Sequence, residues 1–315
     1  MSKRTKDIDT ISAHIKHRIE KGLTELIDPS EIYALFPKTS ETTTKGKIKD
    51  AMDQNFHFVG LVASIFPRTE TILNATEKEL GSPVVGETLV QANKIAKKLV
   101  DTLTNSFIKK FCESSLGNDF DKTTDKISTS FQKLNSQLLI PYKEYLTQLD
   151  SAIVSIAGKL NQSLFVRALR NSGFSDEQKN RTFSETGKKS EGDIKIYHVG
   201  TGKGGNKILN IEAKSYAARE RLLRGLTDIQ NPKVGVGFFN DPTEFSRARV
   251  QLLVTSAQAQ AVYMPLQTYT ALTAEAKKVA HTSTGRVCRI LESEFTQDMT
   301  AFKVKGEIPY INPHE

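Results

Sequence analysis

Over most of the first half of the chain, apolar residues return every three to four positions. Ile8, Ile11, Ile15, Ile19, Leu23 and Leu26 form one such stripe, which is the pattern of a helix with one buried face. Pro29 stops it, Ser30 is placed to cap a short successor that carries Glu31 to Phe36, and Pro37 ends that one. The pattern resumes through Ile48, Met52, Phe56, Val59 and Val62, then through Leu89, Ala92, Ile95, Leu99, Leu103 and Phe107, with Pro67 and Pro83 between. A further run carries Ile127, Phe131, Leu134 and Leu138 up to Pro141. These runs predict an all-α N-terminal domain over residues 1–141. From Tyr142 to Asn171 a long helical stripe continues through Leu146, Leu149, Ile153, Ile156, Leu160, Leu164 and Leu169, and Gly173 is its expected stop.

Beyond Gly173 the period changes. Ser175 to Glu191 is polar and aperiodic and reads as a solvent-facing connection. Two alternating runs follow, Asp193-Ile-Lys-Ile-Tyr-His-Val and Lys207-Ile-Leu-Asn-Ile-Glu-Ala-Lys214, with the glycine-rich Gly200-Thr-Gly-Lys-Gly-Gly-Asn206 between them. A period of two with such a turn predicts an antiparallel hairpin. Tyr216 to Thr227, with Leu222, Leu223 and Leu226, predicts a helix; Lys233 to Phe239, Val250 to Thr255 and Gln260 to Met264 predict strands. Pro265 is expected to open a helix reaching about His281, and weaker strand signals lie at Val287 to Leu291 and Ala301 to Val304. Residues 142–315 therefore read as an α/β domain, and the chain shows no internal repeat.

The composition narrows the class. With 315 residues, 38% apolar and 25% charged, the chain can bury a large core, and no apolar run approaches a membrane span. The charged start Met1-Ser-Lys-Arg-Thr-Lys-Asp7 is not a secretory signal, so a cytoplasmic protein without membrane association is expected. Cys112 and Cys288 are too far apart for a CxxC zinc site and are expected to be buried thiols. His14, His17 and His57 read as surface or packing residues. Of a net charge of +8, most is concentrated between Lys159 and Arg224, where fourteen Lys or Arg face seven Asp or Glu. A cationic field of that extent favours a polyanion, and nucleic acid is the commonest.

The candidate chemistry lies inside that field. Residues two apart on a strand share a face, so Glu212 and Lys214 emerge together, and hairpin pairing brings Asp193 towards them. Two carboxylates with an ammonium suit a hard divalent cation beside an attacking water. The order helix, strand with Gly192-Asp193, turn, strand with Glu212-Ala213-Lys214, helix, strand resembles the PD-(D/E)xK nuclease superfamily, over about Gly158 to Met264. Two departures stand out: Gly192 replaces the usual proline, and the preceding helix offers Asn161 or Gln162 where the family often has a glutamate.

The resemblance implies a restriction-endonuclease-like mixed central sheet flanked by helices, with Asp193, Glu212 and Lys214 catalytic. Asp193, Glu212 and the Ala213 carbonyl would hold Mg2+. It also implies a type II restriction enzyme that cuts double-stranded DNA to leave 5'-phosphates, works as a homodimer on a short palindromic site, and shares its cell with a cognate methyltransferase. Arg219-Glu220-Arg221 followed by Asp228 further resembles a cluster in restriction enzymes that read CCGG or interrupted CC-GG sites. With Arg224 these residues are the expected DNA contacts, since an arginine fork matches guanine and an acid accepts from cytosine. The helical domain is expected to supply dimer contacts or embrace the duplex.

Other readings remain at this level: a structure-directed repair or mobile-element nuclease of the same fold, or a non-catalytic DNA-binding protein with an Asp193, Glu212, Lys214 ion-pair network. A nucleotide cofactor is not expected. Asn206 follows Gly205 where a phosphate loop needs Lys, and the loop leads into a strand. His198 falls on the opposite strand face from Asp193 and reads as structural.

Overall fold

The computed structural model describes residues 69–121, 123–136, 140–186, 191–199, 207–214 and 219–314. The helices expected within residues 8–62, the turn at 200–206 and residues 215–218 lie outside the described residues. Leu73–Ala96 and Gly158–Glu315 form one compact unit, and Lys97–Ala157 belongs to another. The division therefore falls inside a continuous helix, where the sequence predicted it at residues 141 and 142.

In that other unit, helix α1 (Thr69–Leu80) begins and helix α2 (Leu89–Leu116) ends. Strands β1 (Phe120–Asp121) and β2 (Lys126–Ile127) pair antiparallel, so the expected all-α character does not hold among the described residues. Turn chemistry explains the break. The Asp121 carboxylate accepts from the Thr123 N–H at 2.8 Å and the Thr124 hydroxyl at 2.6 Å, and Asp125 has φ +55°, which reverses the chain before a helix can form. Helix α3 is only Phe131–Leu134, and helix α4 begins at Ile140 and runs to Asn171.

The larger unit is mixed α/β. Its six-stranded sheet has the order β10-β7-β6-β5-β4-β3, built from β3 (Phe183–Glu185), β4 (Ile194–Tyr197), β5 (Ile208–Lys214), β6 (Lys233–Gly237), β7 (Ala261–Met264) and β10 (Cys288–Ile290). β5, β6, β7 and β10 run parallel, while β3 and β4 are antiparallel to their neighbours. Helices cover both faces. On one, α5 (Arg219–Asp228) and α6 (Arg247–Thr255) pack Leu222, Leu226, Val250 and Leu253 against Val262 and Met264. On the other, Phe165 of α4 stacks on Phe238 at 4.8 Å, and Phe295 of α9 (Leu291–Lys305) meets Tyr263 edge-on at 5.3 Å. Burial on both faces explains why β6 and β7 have no exposed residue.

Several expectations are corrected here. Val250 to Thr255 is helix, not strand. The parallel pairing of β6 with β7 needs a crossover between them, and Val250, Leu253 and Val254 supply its inward stripe while Leu252 faces out. Ala301 to Val304 is the last turn of α9, whose Leu291, Phe295, Met299 and Phe302 are all buried on one side. Ser175 to Glu191 is not wholly a connection, because Phe183 is buried and anchors edge strand β3 opposite Ile196. The helix expected from Pro265 to His281 is two short ones, α7 (Leu266–Thr270) and α8 (Ala274–Lys277), split where the Thr273 hydroxyl caps α8. It gives way to β8 (Ala280–His281), which pairs with β9 (Gly285–Arg286).

Other signals held. α4 ends as expected: Gly173 takes φ +81° and the Phe174 N–H returns to the Leu169 carbonyl at 3.0 Å. Cys112 and Cys288 are buried free thiols, and burial pushes the Cys288 thiol up to about 12. Among the described residues no helix is long and apolar enough to cross a membrane.

Candidate functional site

The hairpin sets the geometry. β4 and β5 pair antiparallel with Ile194 opposite Ile211, and Asp193 stands just before β4, beside the end of β5 that carries Glu212. The Asp193 N–H donates to the Ile211 carbonyl at 2.8 Å, one residue off the register of the ladder, so regular pairing ends at Ile194 and Asp193 sits just beyond it. The alternation of β5 then separates two roles. Leu209 and Ile211 are fully buried on one face, while Asn210, Glu212 and Lys214 share the other with Asp193.

Gly192 replaces the proline of the resembled motif for a reason visible in the backbone. Its φ is +73°, outside the range a proline ring permits, and a Cβ there would stand 2.7 Å from the Ile211 carbonyl oxygen. The chain enters β4 by a turn that only glycine makes easily.

The three charged groups meet. Lys214 Nζ forms an ion pair with Glu212 Oε1 and lies 3.9 Å from Asp193 Oδ2. Asp193 Oδ2 also accepts the Ala213 N–H at 2.8 Å, which locks its carboxylate over the end of β5. Lys214 and Asp193 are partly exposed, whereas the Glu212 side chain is 9% exposed. Burial raises the Glu212 carboxyl above the ordinary glutamate range; Lys214 opposes the rise and the Asp193 charge adds to it.

A sign follows for stability. Because the folded-state pKa is raised, the ionised Glu212 weakens the folded state once pH climbs above the ordinary glutamate value. Glu212→Gln is therefore expected to shift the urea midpoint of the metal-free protein upwards at neutral pH. The gain should vanish below the ordinary glutamate pKa, where both states are protonated. Urea melts of the two proteins across pH 3.5 to 8 check it.

The donor set is hard and all-oxygen. Among the described residues no cage of three or more His, Cys, Asp or Glu side chains forms. Two carboxylates still fit Mg2+, which keeps several waters and takes substrate phosphate oxygens beside one or two protein carboxylates. Of the two residues offered by the preceding helix, Asn161 is turned away: its Oδ1 accepts from Asn93 Nδ2 at 2.6 Å in the core. Gln162 is the one near the site, its Nε2 3.5 Å from the Asp193 carbonyl and 3.4 Å from Glu185 Oε2.

Helix α5 follows β5 and crosses the face that carries Glu212. Arg219 opens it, and Arg221 and Arg224 are exposed. Arg221 lies one turn before Gly225, the residue that touches Glu212, so Arg221 is on the stripe nearest the carboxylates. Glu220, grouped with the arginines by sequence, lies about 140° round the helix from Gly225 and lines a cavity of about 230 Å³ with Leu223, Phe245 and Arg249. It faces α6, away from Asp193 and Glu212. His198 hydrogen-bonds through Nδ1 to the Lys303 carbonyl at 3.1 Å and takes no part.

The sequence reading missed Gly225. Its signal was a lone glycine within a helical stretch, between Leu222 and Leu226. No family model matches the chain, and no curated protein or solved structure matches it either.

Proposed function

We propose that the chain is a Mg2+-dependent endodeoxyribonuclease of the type II restriction kind, with the sheet serving as a restriction-endonuclease-like catalytic core. The observation that supports this most is the meeting of Asp193 and Glu212 across a hairpin, with Lys214 on the same face and Ala213 tied to Asp193. The basic surplus between Lys159 and Arg224 supports a polyanionic substrate.

Asp193, Glu212 and the Ala213 carbonyl would hold the metal. A Mg2+ ion held there would supply Lewis-acid chemistry, polarising a phosphate oxygen and making a bound water more acidic. The residues do the rest. Asp193 keeps its orientation through the Ala213 N–H, so its free oxygen is aimed without cost at the moment of reaction. Glu212, in its drier setting, concentrates negative charge where a cation is wanted. Lys214 leaves its ion pair with Glu212 to orient the attacking water, assist its deprotonation and offset charge on the phosphate.

Arg219, Arg221 and Arg224 on α5 are the groups proposed to reach double-stranded DNA, and a homodimer would match a palindromic site. A cognate methyltransferase would protect host DNA in the same cell without binding this chain. The helical region would add dimer or DNA contacts. Supercoiled plasmid incubated with the protein is expected to become linear with Mg2+ and to stay intact with EDTA; equal cutting in EDTA would count against the reading.

A further inference from the structure

A glycine in the middle of a helix weakens it relative to alanine, yet α5 carries Gly225 with the helix continuing to Asp228. The backbone there is ordinary, since Gly225 is not among the residues with positive φ. Its neighbour supplies the reason. A Cβ at position 225 would lie 2.2 Å from Glu212 Oε1, 2.7 Å from its Cδ and 2.9 Å from its Cγ. No side chain at 225 can coexist with the present Glu212 rotamer.

Glu212 has little room to yield. Its side chain is 9% exposed and Lys214 holds Oε1. Beside it on the sheet is Gly235, its register partner on β6, where a Cβ would press within 3.0 Å of Leu222 on α5. Two glycines thus let α5 settle onto the sheet, and the bare backbone at 225 receives the carboxylate.

We infer that Gly225 is a positioning residue for Glu212: the α5 backbone fixes the depth of the carboxylate and so its separation from Asp193. The inference rests on the reading of Glu212 as a metal-holding residue. A larger residue at 225 drives the carboxylate out of register with Asp193 and loosens the grip on the cation.

Full-length Gly225→Ala is the test, alone and combined with changes at 212. Gly225→Ala is expected to raise the Mg2+ concentration for half-maximal plasmid cleavage tenfold or more. Glu212→Asp, one methylene shorter, should restore part of the rate in the Gly225→Ala background although it impairs the wild type. Thermal melts without metal give a readout independent of cleavage. Gly225→Ala should lower the melting temperature of the wild type and raise it in Glu212→Ala, where helix preference acts alone. An unchanged Mg2+ requirement, or a melting shift of the same sign in both backgrounds, would overturn the inference while cleavage by the wild type still stands. Wild type that cuts no DNA with Mg2+ would instead bring down the functional reading and the inference with it.

Discussion

Asp193→Asn is expected to slow Mg2+-dependent DNA cleavage about a thousandfold or more while leaving DNA binding in EDTA nearly unchanged. The asparagine keeps an oxygen to accept the Ala213 N–H, now made at 2.8 Å, so the end of the β4–β5 hairpin should hold its shape. What it removes is one of the two carboxylate charges that meet at Lys214. A bound cation supplies several kcal/mol of transition-state stabilisation, and a loss of about 4 kcal/mol corresponds to roughly a thousandfold in rate. Lys214→Met should cost about a hundred- to a thousandfold, the usual range for one preorganised electrostatic partner. Single-turnover rates on plasmid DNA, with gel-shift affinity measured in EDTA, separate the chemistry from binding. If both variants cut at the wild-type rate, these groups are a structural ion-pair network.

The second large effect is on stability, far from the chemistry. Asp298→Ala is expected to destabilise the protein by about 3–5 kcal/mol, because Arg289 is completely buried and Asp298 is its carboxylate partner. Arg289 Nη2 also donates to the carbonyls of Thr284 and Pro309 at 2.8 and 2.7 Å, and Tyr263 donates its hydroxyl to Asp298 at 2.9 Å. One guanidinium thus ties the last strand, helix α9 and the C-terminal tail together. With the carboxylate gone, the guanidinium charge is left uncompensated in a dry site. For a unit of this size the melting temperature should fall by about 10 °C. The double variant Arg289→Met with Asp298→Leu should recover part of the loss, because no buried charge is then left alone, while the Tyr263 hydroxyl and the Thr284 and Pro309 carbonyls lose the partners they had. A double variant as unstable as the single one would show that the lost hydrogen bonds and packing, not the uncompensated charge, set the cost.

Much of the site was legible before the fold was known, because a strand has a period of two. Alternation alone places Glu212 and Lys214 on one face, and the pairing of β4 with β5 brings Asp193 beside them, where its carboxylate accepts the Ala213 N–H and lies 3.9 Å from Lys214 Nζ. Where the expectations failed, the deciding contacts were distant in sequence. Val250 to Thr255 has strand-like composition, but parallel pairing of β6 with β7 demands a crossover and makes it a helix. Phe183 looked isolated in a polar stretch until Ile196 lay opposite it. Gly225 was unreadable for the same reason, since only the close approach of α5 to Glu212 shows why a side chain is excluded there.

The most direct measurement is digestion of a long DNA of known sequence by purified protein, with Mg2+ and with EDTA, followed by sequencing of the fragment ends. The account predicts discrete fragments in Mg2+ alone, with 5'-phosphates and one short sequence shared by all ends. DNA that stays intact under both conditions would contradict it.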